Sequence, residues 1–174
     1  MKLLTFISFL IIPSLLNAQF VQGDLVRKQN SARNLQFTFD NAGEMVGQGM
    51  CFEFVYEAVK LSHPKDYKIV LSNIEKFRIK DSTKVISGDV VLFKNIVYNS
   101  YVNDTIIGHI GIVLDNLMPD GFTFAGQNHG EKNGEKRKVV YRGNTYNAYI
   151  DSEVKEQYFD YESMKSGTIT FYRF

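Results

Sequence analysis

The chain contains one cysteine, three prolines and no tryptophan among its 174 residues. A single thiol cannot close an intramolecular disulfide, and a cysteine-based zinc site needs more thiols than one. Three prolines and 13 glycines, none clustered, provide no Pro/Gly-rich linker to separate two domains, and no segment repeats. Neither sign of charge is in excess, with 20 Lys+Arg against 19 Asp+Glu. That balance removes the electrostatic case for nucleic acid, which needs a concentrated basic face. What remains is 44% hydrophobic and 22% charged, the proportions of a globular domain. Disorder, collagen-like repeats and coiled coil are thereby excluded. Without Trp, the 14 Phe and 10 Tyr must supply the aromatic part of the core.

Lys2 precedes an apolar run, Leu3 to Leu16, interrupted by Thr5, Ser8, Pro13 and Ser14 and ending in Asn17-Ala18-Gln19. One positive charge, a short apolar stretch and a small residue at the cut describe a secretory signal peptide over residues 1–18. The run is too short and broken for a transmembrane helix of about 20 apolar residues. No cysteine lies near the cut to carry a lipid. The expectation is an exported protein, periplasmic or extracellular, whose mature domain is residues 19–174. It has no membrane span after cleavage and is a monomer. Export makes Cys51 conspicuous, because an odd thiol in an oxidising compartment must be buried, paired with another molecule or used chemically.

Residues 19–44 are polar and weakly patterned, and predict an approach segment with a short helix at most. Phe52, Val55, Tyr56 and Val59 fall at i, i+3, i+4 and i+7, one face of an amphipathic helix that Pro64 stops. Residues 65–84 read as loop with a short helical piece. Ser87-Gly88-Asp89 predicts a turn, followed by a buried strand at Val90-Val91-Leu92-Phe93. Ile106 to Leu114 predicts a second strand, apolar on both faces. Pro119-Asp120-Gly121 predicts a turn to a hairpin partner, Phe122 to Ala125. Glu131 to Lys138 reads as a surface loop, and Val139-Val140-Tyr141 and Thr168 to Tyr172 as strands. One helix followed by hairpin-connected strands predicts an α+β fold.

Cys51 stands where the turn Gly47-Gln48-Gly49-Met50 becomes the helix. Free backbone N–H groups and the helix dipole there favour thiolate, the nucleophilic form. The same N–H groups suit the oxyanion formed when sulfur attacks an amide carbonyl. A nucleophilic thiol needs a base. His63 reads as a helix-end cap beside Pro64. His109, in Gly108-His109-Ile110-Gly111-Ile112-Val113-Leu114, is a polar ring near the start of an apolar strand and needs a partner or a task. The third group that orients an imidazole is sought at Gln127-Asn128-His129, where the hairpin returns beside 109–114. Strand alternation favours Asn128, with Gln127 next, and His129 is exposed, a rim residue or itself the group that reaches His109.

Gly-x-Cys opening a helix, then Ser-Gly-Asp-Val-Val-Leu-Phe, Gly-His-Ile-Gly-Ile-Val-Leu and Ala-Gly-Gln-Asn resembles the papain-like cell-wall hydrolases, the NlpC/P60 and CHAP domains. The resemblance runs from Gly47 to about Asn128. It implies a papain-like single domain with a nucleophile helix packed on an antiparallel sheet, and a hydrolase acting on peptidoglycan peptides through a thioester on Cys51. It also implies His109 as general base and then acid, and Gly88-Asp89 as a structural turn. No cofactor and no metal are called for. Where CHAP-like members end the following strand in Glu-x-Asn, this chain has Gly126-Gln127-Asn128, so the carboxylate is missing and the Asn is kept. Gln48, three residues before the thiol, is either an extra oxyanion donor or a turn residue. The alternatives are an inactive binding domain on the same scaffold and an antibacterial effector of the same chemistry.

Overall fold

The computed structural model describes residues 4–98, 105–128, 135–141, 143–150 and 152–174. Helix α1 spans Leu4–Asp40, α2 Cys51–Ser62 and α3 Tyr67–Ser72. Strands follow at Arg78–Ile79 (β1), Val90–Tyr98 (β2), Thr105–Leu117 (β3) and Gly121–Gly126 (β4). The last four are Lys136–Tyr141 (β5), Asn144–Tyr149 (β6), Lys155–Asp160 (β7) and Met164–Tyr172 (β8). Six strands form one sheet in the order β1-β8-β2-β3-β4-β7, with every pairing antiparallel, and β5 and β6 form a separate hairpin.

The two faces of the sheet carry different cores. On one, Phe54, Val55, Ala58 and Val59 of α2 pack against Val90, Ile112, Ala125, Tyr172 and Phe174. On the other, Val91, Phe93, Val113, Phe122, Phe124, Phe159 and Phe171 fill the space with aromatic rings. Phe122 alone lies 5.1 Å from Phe171 and 5.4 Å from Phe159, centroid to centroid. This explains why β2 and β3 are apolar on both faces: each face is covered, so neither can be polar. Each fully buried Phe or Val contributes about 1.5–3 kcal/mol.

The end of α1 docks through polar groups. Asn30, Ser31, Asn34 and Thr38 are all buried. Ser31 Oγ donates to Asp89 Oδ1 (2.8 Å), and Asn34 Nδ2 to the Gly88 carbonyl (3.1 Å). Buried Asp89 also takes Arg173 Nε on Oδ1 (2.9 Å) and Arg173 Nη2 on Oδ2 (2.7 Å), with the Ile86 N–H on Oδ2 (2.9 Å). Gly88 has φ +88°, and a Cβ there would collide with the Ser31 carbonyl, so only glycine lets the helix come this close.

The predicted α2 helix, the turn at 87–89 and the 106–114/122–125 hairpin form as the patterning indicates. The papain-like α+β arrangement does not. The described chain is mostly antiparallel β-sheet, eight strands with few helices, and it is not organised around a nucleophile helix in the papain manner. The balance shifts because segments 144–149 and 155–160, whose aromatics read as sheet core or strand faces but which carry no predicted strand, pair as β6 with β5 and β7 with β4. Residues 136–138, expected in a loop, belong to β5. The opposite error lies at the N-terminus: residues 19–40, read as a weakly structured approach, continue α1. Its helical backbone also runs through the expected cleavage position after Ala18. Among the described residues no helix is long and apolar enough to cross a membrane.

Candidate functional site

Cys51 is the first residue of α2, with Met50 as its N-cap. Glu53, three residues on, turns back so that Oε2 accepts the N–H of Gln48 (2.8 Å) and of Met50 (3.2 Å). This is the carboxylate half of a capping box. The turn before the thiol is fixed further by side chains from distant segments. Gln127, fully buried, accepts the Val46 N–H on Oε1 (2.7 Å) and donates from Nε2 to the carbonyls of Val46 (2.8 Å) and Met50 (3.2 Å). Buried Ser152 donates to the Gly49 carbonyl (2.7 Å) and accepts the Asn128 N–H (2.6 Å). The β5–β6 hairpin closes over Met50 and Phe52 through Val139 and Ala148.

The backbone N–H groups of Ile110, Phe52 and Cys51 itself lie near the sulfur and favour thiolate. Burial outweighs them and pushes the thiol pKa up, with the Glu53 carboxylate adding to the rise. The residue is half-buried as a whole, but the atoms packed around the sulfur leave it little water. The helix start therefore does not yield the thiolate expected from position alone.

His109 is buried in β3, directly opposite Phe93 of β2. Its ring lies 6.0 Å from the rings of both Phe93 and Phe124. Alternation along β3 sends Ile110 and Ile112 toward α2 and His109 toward the aromatic core. The imidazole thus leaves the strand on the face opposite Ile110, while the sulfur meets the Ile110 N–H one peptide bond away. The β3–β4 register runs from Leu117↔Gly121 to Ile112↔Ala125, so the sulfur sits just past its last pair.

The candidates for the third group have other partners. Both amide hydrogens and the oxygen of Gln127 are used by the turn at 46–50. Asn128, at φ +67°, accepts the Tyr149 N–H on Oδ1 (3.0 Å) and lies 3.9 Å from the Met50 sulfur through Nδ2. The strand ends at Gly126, so the alternation that favoured Asn128 does not reach it. Both amides hold the loops around Cys51, and neither orients His109. His129 lies outside the described residues. Gln48 is a turn residue whose Nε2 is 3.5 Å from the Val140 carbonyl. His63 caps α2 and contacts Asn30 Nδ2 through Nε2 (3.2 Å). Among the described residues no group of three His, Cys, Asp or Glu side chains is placed to hold a metal.

Beside the thiol runs a groove of about 420 Å³. Phe52, Val55 and Tyr56 line it from α2, Lys68, Leu71 and Ser72 from α3, Asn144 and Tyr146 from β6, and Ile110 from β3. Both helical sets are spaced i, i+3, i+4 and the strand pair i, i+2, so each element turns one face to the groove. Its size lies in the range of small-ligand sites, about 300–1,000 Å³.

Sequence reasoning passed over Glu53 and Ser152. Glu53 had a signal, the capping-box spacing from Met50. Ser152 had none, being 103 residues from the Gly49 carbonyl that it binds.

No family model matches the chain, and no curated protein or solved structure is found similar to it.

Proposed function

We propose that the protein is a cysteine-dependent hydrolase of peptide or amide bonds, with peptidoglycan peptides in an exported compartment as its substrate class. The observation that carries this reading is the seat of the Cys51 sulfur. It lies at the first turn of α2, near the N–H of Ile110, the residue that follows His109, and Ile110 and Phe52 also line a groove of about 420 Å³. In this reading Cys51 attacks the amide carbonyl and the N–H groups of Cys51 and Phe52 receive the oxyanion. This requires the His109 imidazole to reach the sulfur round the edge of β3, where it takes the thiol proton and returns it to the departing amine, leaving a thioester on Cys51. Water activated by the same imidazole then cleaves the thioester and releases the acid. Because the resting thiol is neutral, its proton leaves as the carbon–sulfur bond forms, not beforehand. Packing against Phe93 and Phe124 helps to restrain the imidazole.

The test is release of new amino groups from purified peptidoglycan. Cys51→Ala and His109→Gln should each abolish it while keeping the wild-type circular dichroism, and unchanged turnover in Cys51→Ala would end this reading. Iodoacetamide should alkylate wild-type Cys51 slowly at neutral pH. The rate should climb only above the free-thiol value of about 8.5, and a plateau reached below that value would contradict the assigned burial. A second reading, a non-catalytic binding domain, is favoured by the neutral thiol and the engaged amides. It predicts peptide binding with no Cys51-dependent release.

A further inference from the structure

The groove beside Cys51 has three kinds of wall, and together they specify a ligand. Phe52 and Tyr146 meet across one end with ring centroids 5.8 Å apart, and Tyr56 adds a third aromatic surface. Asn144 presents an amide, which offers one acceptor and two donor hydrogens, the complement of a peptide unit. Lys68 is the one cationic side chain among the lining residues. Its ammonium lies 5.9 Å from the Tyr67 ring centroid. Among the described residues neither Lys68 nor Asn144 has an ion-pair or side-chain hydrogen-bond partner. The end of the groove at Ile110 adjoins the sulfur, so a chain lying along it runs from the thiol toward α3. Among the described residues no acidic side chain lines this path, and charge complementarity therefore selects a negative ligand.

We propose that this groove binds an acidic peptide, with its backbone on Asn144, an apolar part against Phe52, Tyr56 and Tyr146, and a carboxylate on Lys68. The inference deepens the hydrolase reading by naming the substrate charge that is selected and the residue that reads it, and rests on that reading for catalysis, although binding itself does not require the thiol.

The experiment compares soluble peptidoglycan stem peptides with their carboxylates free or chemically amidated. Each set is titrated calorimetrically into Cys51→Ala protein and assayed for turnover with Cys51 intact. The Cys51→Ala protein should bind the free-acid peptides at least fivefold more tightly than the amidated set. Lys68→Glu, an exposed substitution, should erase that preference and raise KM for free-acid peptides about fivefold to tenfold, leaving kcat within twofold; an exposed ion pair replaced by like-charge repulsion has this scale. Cys51-dependent turnover with no preference for the free acid, or with a preference indifferent to Lys68→Glu, would overturn the inference and leave the hydrolase reading standing. Carboxylate-dependent binding without any turnover would support the inference and overturn the hydrolase. Neither binding nor turnover would overturn both.

Discussion

Replacing Gln127 with Glu changes one atom group, an NH2 for an oxygen, at a position with no solvent exposure. In the native protein that NH2 serves the carbonyls of Val46 and Met50 at 2.8 and 3.2 Å, while the partner oxygen holds the Val46 N–H. An ionised carboxylate keeps the last bond and turns a negative oxygen toward two carbonyl oxygens. Each carbonyl keeps a backbone donor, the Gly49 N–H on Val46 (3.2 Å) and the Glu53 N–H on Met50 (3.0 Å), so the loss is two hydrogen bonds at about 0.5–1.5 kcal/mol each plus a buried charge facing oxygens. The variant should be less stable at pH 7 by at least about 1–3 kcal/mol. Burial and the facing carbonyls favour the protonated acid, so its folded pKa lies above the unfolded value of about 4.3. Between those two values the folded state holds the extra proton. Stability lost at neutral pH therefore returns as pH falls, at up to about 1.4 kcal/mol per pH unit, while one O–H donor is regained. Urea midpoints of variant and wild type measured at pH 7 and pH 5 test this. The gap should narrow in acid, and Cys51 should alkylate faster at pH 7 as the turn at 46–50 loosens. A variant equal to wild type at pH 7, or a gap that widens in acid, would refute the assignment of Gln127 as the clamp of that turn.

Two further outcomes follow from the docking of α1. Gly88→Ala places a methyl against the Ser31 carbonyl in a backbone conformation, φ +88°, that only glycine adopts readily; helix and turn must separate, and the loss should exceed about 2 kcal/mol in urea unfolding, whereas a loss under 0.5 would show that the contact yields freely. Burial holds the pKa of His63 below the ordinary histidine range, and Asn30 Nδ2 faces its Nε2 at 3.2 Å, so the neutral ring is the folded form. Its contribution is present above about pH 6.5 and is lost as pH falls through the depressed folded value. Wild type should thus lose stability relative to His63→Gln between pH 7.5 and pH 5, and parallel urea curves for the two proteins would refute it.

The sequence by itself determined the local structure that short-range chemistry controls. The spacing of Phe52, Val55, Tyr56 and Val59 dictated α2, and Pro64 its end. The continuous apolar runs at 90–93 and 106–114 dictated strands covered on both faces, and Pro119-Asp120-Gly121 the hairpin between β3 and β4. It also singled out Cys51 at a helix start and His109 in an apolar strand. Only the tertiary structure decided how these combine. The segments at 144–149 and 155–160 become strands because neighbouring backbones are there to pair with them, and this carries the fold from the expected papain-like arrangement to a mainly antiparallel sheet. The ionisation of Cys51 turned on how many atoms surround the sulfur, which no spacing encodes, and desolvation there outweighs the helix-start N–H groups. Gln127 and Asn128 were legible as polar residues at a strand end, but their partners at Val46, Met50 and Tyr149 lie 21 to 81 residues away. Hydrogen bonds over such separations are fixed by chain path. Residue type sets only what a side chain can offer, and packing decides which offer is taken.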